Sequence, residues 1–270
     1  MNYRHAFHAG NFADVAKHLA LVAILRHLCK KDAPFAVIDT HAGCGAYNLG
    51  GTEARKTGEA ERGIKRLTDS GKGQETLSAY LELVRAGGNA AYPGSPLIAA
   101  KLLRPQDRLV AIEKHPEDAA ALTALLKPFA KVRVEAADGY ARLLALMPPP
   151  ERRGAILIDP PYEAEDEFRL AAQAFAGAYR RFAAGIYALW FPVKSRAEAD
   201  SFCGEVLASG AGKVLRFEIG LRAPEKDKLA AAGLLIVNPP YQFEEEMGRA
   251  LTHVLPRLES EARFDWLAGG

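Results

Sequence analysis

The chain has 270 residues, 49% hydrophobic and 25% charged, the balance of a globular protein with one large domain or one domain plus an insertion. No apolar run approaches the roughly 20 residues needed to span a bilayer, and MNYRHAFHAGNF lacks the apolar core of a secretion signal. Three scattered cysteines without CxxC spacing argue against disulfides and a zinc ribbon, so the expected setting is the cytoplasm, and a formal net charge of +2 does not by itself mark a nucleic-acid binder. The distribution of charge is more suggestive. Residues 1–31 carry a net +4, through Arg4, Lys17, Arg26, Lys30 and Lys31 against Asp14, and residues 55–73 carry a net +3. Local basic faces of this kind contact phosphate, although a solvated helix face explains either segment equally well.

In chain order, Asn11 is placed to cap a helix with Asp14 at its third position, and ADVAKHLALVAILRHLCKK continues it at helical spacing. Lys30 and Lys31 suit its negative end. FAVID (35–39) reads as the first strand, followed by a glycine turn. LVAIE (109–113), KVRVEA (131–136), AILID (155–159) and GIYALWF (185–191) read as four more, separated by helical stretches such as PEDAAALTALLK, DGYARLLAL and 168–182. VLRFEIGL and GLLIVN lie close enough together to pair antiparallel. Alternating strands and helices predict an α/β fold, a parallel sheet covered on both faces. The 70 or so residues between the first two strands are too many for one crossover. KTGEAERGIKRLTDS and QETLSAYLELVRAG read as helices there, so residues 49–92 are expected to form a helical insertion between the parts 1–48 and 93–270 of the main domain.

Ligands of such sheets sit at the carboxyl ends of the strands, where strand order reverses. The first strand ends in DTHAGCGAY, where Gly43 and Gly45 permit a tight turn and close approach to a ligand. The second ends in Glu113, suited to two ribose hydroxyls. The third leads to Asp138-Gly139, suited to an adenine edge, or else a plain helix cap. The fourth ends in Asp159-Pro160-Pro161-Tyr162. A nicotinamide enzyme would want the full glycine fingerprint, and a P-loop enzyme GxxxxGK[ST]; neither is present.

An exocyclic base amine is a poor nucleophile, because its lone pair is delocalised into the ring. Asp159 and the carbonyl of Pro160 offer two acceptors for its N–H groups, and Tyr162 a ring to stack on a base taken out of its surroundings. The succession predicts a methyltransferase using S-adenosylmethionine with an amine acceptor, and no metal. A near-twin, Asn238-Pro239-Pro240-Tyr241, follows the last strand of this set, far from the cofactor turns, and is expected to be a strand exit. Of seven histidines five lie in the first 41 residues, without the spacing of a metal site. His18 and His41 are candidates for the methionine part of the cofactor, and His27 for a core-edge histidine.

With these residues in place the chain resembles the bacterial large-subunit ribosomal RNA adenine-N6-methyltransferase J family (RlmJ). The matching stretches are YRHAFHAGNFADVAKH (3–18), DTHAGCGAYNL (39–49), YPGSPLIA (92–99), Glu113, ADGY (137–140), LIDPPYE (157–163) and GIYALWFPV (185–193). The resemblance implies a Rossmann-like class I fold with a small helical subdomain and S-adenosylmethionine as donor. Its target would be N6 of adenine 2030 in 23S rRNA. It makes His18, His41, Ser95, Glu113, Asp138 and Gly139 cofactor contacts, Asp159 the catalytic acceptor and Tyr3 a substrate-side residue; Ser95 and Tyr3 come from it alone. Pro160, Pro161 and Tyr162 complete the expected substrate side. A monomer without a stable protein partner or membrane is expected. The rivals are a guanine-N2 or DNA adenine-N6 methyltransferase, and a non-enzymatic nucleic-acid-binding protein. Nothing in the corner itself separates adenine from guanine.

Overall fold

A computed structural model describes residues 5–67, 74–88, 91–225 and 228–270. Its strands are β1 (Ala36–Asp39), β2 (Ala46–Asn48), β3 (Ala91–Pro93), β4 (Arg108–Glu113), β5 (Val132–Ala136), β6 (Gly154–Ile158), β7 (Ile186–Pro192), β8 (Val214–Leu221), β9 (Ala231–Val237) and β10 (Ser260–Ala268). The α-helices are α1 (Phe12–Cys29), α2 (Thr52–Thr57), α3 (Glu59–Arg62), α4 (Glu75–Arg85), α5 (Ser95–Leu102), α6 (Pro116–Leu126), α7 (Gly139–Leu146), α8 (Glu167–Arg181), α9 (Arg196–Leu207) and α10 (Phe243–Leu258).

Eight strands form one sheet in the order β10-β8-β9-β7-β6-β1-β4-β5. β1, β4, β5, β6 and β7 are parallel, and β9 and β10 run against their neighbours. The expected antiparallel pairing of VLRFEIGL with GLLIVN is present. Successive strand residues alternate between two apolar layers. In β1, Val37 joins a layer with α1, α4, α5, α6 and α10, while Ile38 joins one with α7, α8 and α9. The sheet is therefore buried on both faces, as continuous apolar strands require. Strand order reverses between β1 and β6, which places Asp39 beside Leu157 in register, two residues before Asp159.

Helix α1 is apolar almost all round, and 15 of its 18 residues are buried. It crosses the sheet under α4, α5 and α10 rather than lying on the surface. Asn11 caps it, its side chain accepting from Asp14 N. Two expectations need correcting. Lys17, counted above among surface cations, is 5% exposed. The single helix expected over KTGEAERGIKRLTDS is instead α2, α3 and a 3-10 turn at Ile64–Leu67, because Gly58 adopts φ +64 and ends α2; residues 68–70 lie outside the described set. The carboxyl-terminal segment, for which the sequence assigns no role, supplies β10, which extends the sheet beyond β8. No helix among the described residues is long and apolar enough to cross a membrane.

β2 and β3 form a small antiparallel ribbon at the mouth of the β1 turn, and α2, α3 and α4 hang between its strands. The apolar side chains of that interval, among them Ile64, Leu67, Tyr80 and Leu81, belong to the same layer as α1. His8 Nδ1 lies 2.9 Å from Glu59 and so ties the amino-terminal turn to α3. The Glu59 hydrogen bond raises the His8 pKa above its ordinary 6.5, against the opposing pull of burial. A raised folded pKa stabilises fully below the unfolded value and is lost as pH rises through the folded one. The stability advantage of wild type over His8→Gln is therefore expected at pH 6 and absent by about pH 9. Urea unfolding at the two pH values measures it, and an advantage that grows with pH would reverse the assignment.

Candidate active site

The carboxyl ends of β1, β4, β5 and β6 converge on one crevice. At β1, Gly43 and Gly45 take φ +60 and +82, conformations that other residues rarely adopt. The turn is pinned to β4: Gly43 N donates to Glu113 Oε2 at 2.7 Å, and Ala42 N to Ile112 O at 2.9 Å. His115 N donates to the other Glu113 oxygen at 2.7 Å. The Glu113 carboxylate is thus fixed at the strand end, with lone pairs left for hydroxyl donors.

Asp138 does cap α7, its Oδ1 accepting from Tyr140 N and Ala141 N at 3.1 Å each, while Oδ2 takes Lys114 Nζ at 3.0 Å. Burial works against its charge, but the Ala141 N–H and Lys114 prevail and hold its pKa below the usual value. Next to it, Gly139 packs so tightly on β1 that a Cβ would collide with Thr40 O. Gly139→Ala is expected to push the start of α7 off β1 and weaken binding of S-adenosylhomocysteine roughly tenfold. A stability loss on the order of 1–3 kcal/mol should accompany it. Calorimetric titration checks the first, and wild-type affinity in the variant would show that the close approach is not needed.

His41 sits 2.8 Å from Thr40 Oγ1 and edge-on to the Tyr140 ring; burial lowers its pKa to about 4. His18 is 1% exposed and bonds Tyr92 Oη at 2.7 Å through Nδ1. The other amino-terminal histidines go elsewhere: His5 to Asp14 and His8 to Glu59.

Ser95 Oγ donates to Asp39 Oδ2 at 2.6 Å. Asp39 is 1% exposed, and its other oxygen, Oδ1, has no hydrogen-bond partner among the described residues. Burial drives its pKa up to about 7; the Ser95 hydrogen bond opposes this and nearby Asp159 adds to it. A buried carboxylate oxygen without a donor, at the reversal point of the sheet, fits a cationic ligand group such as an amino acid's ammonium.

At the end of β6, Asp159 is held by a residue that the sequence analysis did not select. Lys17 Nζ lies 2.6 Å from Asp159 Oδ2, across 142 residues of chain, and 2.9 Å from Asp14 Oδ1. Asp14 Oδ2 in turn accepts from Gly10 N and pairs with His5, both at 2.9 Å. The result is a line His5–Asp14–Lys17–Asp159. Burial opposes the Lys17 charge, yet Asp14 and Asp159 outweigh it and raise its pKa well above the ordinary lysine value. Because Lys17 takes Oδ2, Asp159 Oδ1 carries no hydrogen bond among the described residues. The one available signal was a charged pair three residues apart, Asp14 and Lys17, inside a mostly apolar helix. Burial there demands pairing.

Pro160 is buried and Pro161 half-buried. Tyr162 differs from its expected part. It is 8% exposed, its hydroxyl donates to Trp190 O at 2.6 Å, and its ring packs at 4.5 Å on Phe168 and 5.7 Å on Trp190. As placed, it braces the corner against β7 and offers no open stacking face; Trp190 is partly exposed, and Lys17 Nζ lies 6.0 Å from its ring centroid. Tyr3 lies outside the described residues. The twin corner is at the opposite end of the molecule. β9 runs antiparallel to β7, so Asn238 leaves beside the start of β7, where its amide donates to Ala183 O and Gly185 O at 2.8 Å each. Tyr241 there is 80% exposed. It is a strand exit.

Residues 32–268 match the profile of the family described as Ribosomal RNA large subunit methyltransferase D, RlmJ. The chain is 43% identical to Ribosomal RNA large subunit methyltransferase J of Escherichia coli (strain K12), over 99% of each chain. It is 40% identical to the protein of the same name from Haemophilus influenzae, over 98% of this chain and 97% of that one. Among solved structures, protein LPL1258 from Legionella pneumophila superposes with a TM-score of 0.89 at 34% identity, covering 96% of this chain and 98% of that one. A probable spermidine synthase from Corynebacterium glutamicum shares the fold alone, with a TM-score of 0.54 at 12% identity, 98% of this chain and 78% of that one being covered.

Proposed function

The chain belongs to the RlmJ family of ribosomal RNA large subunit methyltransferases, and from that premise we propose that it methylates the exocyclic N6 amine of one adenine, adenine 2030, in 23S rRNA. The observation that carries the reading is the Asp159 carboxylate, held by Lys17 through one oxygen and open at the other, beside a crevice built for an adenosyl amino acid. S-adenosylmethionine, when bound, supplies an electrophilic methyl group. Glu113 is set to accept its ribose hydroxyls, Asp138 and Gly139 to face its adenine, and His18, His41, Ser95 and Asp39 to surround its amino-acid end. Among the described residues no group of three or more His, Cys, Asp or Glu could hold a metal ion.

Asp159 Oδ1 accepts a hydrogen bond from the target amine and the Pro160 carbonyl accepts the second, which turns the nitrogen lone pair toward the methyl group. Alignment of this kind supplies much of the acceleration in a displacement. The transfer leaves one proton more than the product amine can keep, and Asp159 is the base within reach. Tyr162 anchors the corner, and Tyr3 joins the substrate side. Residues 1–48 and 93–270 form the catalytic domain. Residues 49–92 make an RNA-contacting insertion, a role supported by the exposure of Arg55, Lys56, Arg62 and Arg66. Two of these cations already have carboxylate partners, Arg62 with Glu225 and Arg66 with Glu259, so RNA phosphate would exchange for those pairs. The enzyme acts as a cytoplasmic monomer.

The test is transfer of labelled methyl from S-adenosylmethionine to protein-free 23S rRNA taken from cells lacking the enzyme, with nucleosides identified by mass spectrometry. N6-methyladenosine is expected. N2-methylguanosine would keep the corner's chemistry and overturn the target, and no labelled nucleoside would overturn the reading.

A further inference from the structure

Two tyrosines hydrogen-bonded in line to His18, in the apolar layer around α1, have no part in the mechanism above. His18 Nδ1 is 2.7 Å from Tyr92 Oη, which is 2.8 Å from Tyr80 Oη. The three residues sit on α1, β3 and α4 and are 1%, 1% and 0% exposed. None has a further side-chain hydrogen bond among the described residues. Three polar groups in so dry a place form either a structural plug or a device that orients its open end, the His18 ring.

The polarity of the chain can be worked out. Burial lowers the His18 pKa to about 3, with Lys17 reinforcing it and Asp14 opposing, so the ring is neutral and carries one N–H. If His18 donates from Nδ1 to Tyr92, then Tyr92 donates to Tyr80, and the Tyr80 proton ends in a fully enclosed place with no acceptor. If Tyr80 donates to Tyr92 and Tyr92 to Nδ1, both hydroxyl protons are satisfied, and the donor left over is the ring proton on Nε2, an atom that is not among the enclosed, unpartnered ones and so can meet a ligand acceptor. Buried donors without acceptors are rare because their desolvation is uncompensated. The second polarity wins.

We propose that Tyr80 and Tyr92 are positioning residues that hold His18 as the Nε2–H tautomer, a fixed donor to the carboxylate of the cofactor's amino-acid end. The proposal rests on the reading of His18 as a cofactor contact. A neutral N–H donor needs an acceptor, and of the two charged groups on an amino acid only the carboxylate is one. The ammonium group finds its complement in Asp39 Oδ1. A zwitterion is then read by one donor, His18, whose identity is set before it arrives, and one acceptor, Asp39. Tyr80 belongs to α4, so the segment that carries the insertion also sets the cofactor residue.

The experiment combines the histidine tautomer, from long-range 15N–1H NMR correlations, with calorimetric binding of S-adenosylhomocysteine and of 5′-methylthioadenosine, which lacks the amino-acid end. Wild type is expected to show Nε2–H. Tyr92→Phe should lose that tautomer's dominance and bind S-adenosylhomocysteine about tenfold more weakly, with 5′-methylthioadenosine unchanged. Tyr80→Phe removes an equal hydroxyl from the same packing but leaves Tyr92 able to donate to His18, so its effect should be smaller. An Nδ1–H tautomer in wild type overturns the proposal, as does equal weakening of both ligands in Tyr92→Phe, which marks a plain structural role. Failure of the underlying cofactor reading looks different: wild type would bind neither nucleoside, while the wild-type tautomer would still judge the chain's polarity.

Discussion

Asp159→Ala is expected to reduce methyl transfer to rRNA by about 1,000-fold or more, while S-adenosylhomocysteine binds with little change. The separation follows from geometry. In the proposed arrangement Asp159 Oδ1 would face the acceptor amine, whereas Glu113, Asp138 and Gly139, at the other strand ends, would hold the adenosyl end of the cofactor. Alanine removes the acceptor and the base together. Asp159→Asn keeps an acceptor of the same shape but loses the charge that balances Lys17, and should fall between wild type and alanine. Single-turnover assays with labelled cofactor give the rate. An Asp159→Ala protein that retains even a tenth of wild-type turnover would mean that the amine is oriented elsewhere, with Pro160 or Trp190 the first places to look.

Lys17→Met is expected to destabilise the protein by about 3–5 kcal/mol, more than other single changes at the crevice. Its ammonium is buried between two carboxylates, at 2.9 Å from Asp14 and 2.6 Å from Asp159. Removing it leaves Asp14, 3% exposed, with His5 and Gly10 N as its remaining partners among the described residues. The loss comes from the orphaned charge rather than from the pair itself, so the double variant Lys17→Met, Asp14→Asn should recover part of it. The pH dependence has a definite sign. Burial opposes the Asp14 charge, but His5 and Lys17 overcome it and hold its pKa well below the ordinary 3.8. Its contribution is therefore present above pH 3.8 and is lost as pH falls further, toward its folded value. Urea unfolding at neutral pH decides the matter. A double variant less stable than Lys17→Met would show that the line is held by packing rather than charge.

The succession of the main strands along the chain and the four crevice-lining strand ends were legible in sequence because each rests on local grammar. Apolar runs of five or six residues bounded by glycine, proline or acid mark strands, and their ends mark the crevice whatever the rest of the chain does. The distinction between Asp159 and Asn238 was legible too, since strand order alone separates them; the antiparallel course of β9 supplies the physical reason. The continuous helix expected over 56–70 failed for an equally local reason, a left-handed Gly58 whose effect outweighed the helix-forming residues around it.

Other features are decided only by tertiary structure. Lys17 reads as one more basic residue near the amino terminus until α1 is laid across the sheet, where burial obliges it to find carboxylates 3 and 142 residues away. Tyr162 reads as an open ring until β7 brings Trp190 against it. The role of Tyr80 and Tyr92 exists only where α1, α4 and β3 meet. Sequence determines which groups the protein owns and at which strand ends they stand. Which charges and hydroxyls lose water, and so must take each other as partners, is set by contacts between segments distant in the chain, because desolvation is a property of the packed whole.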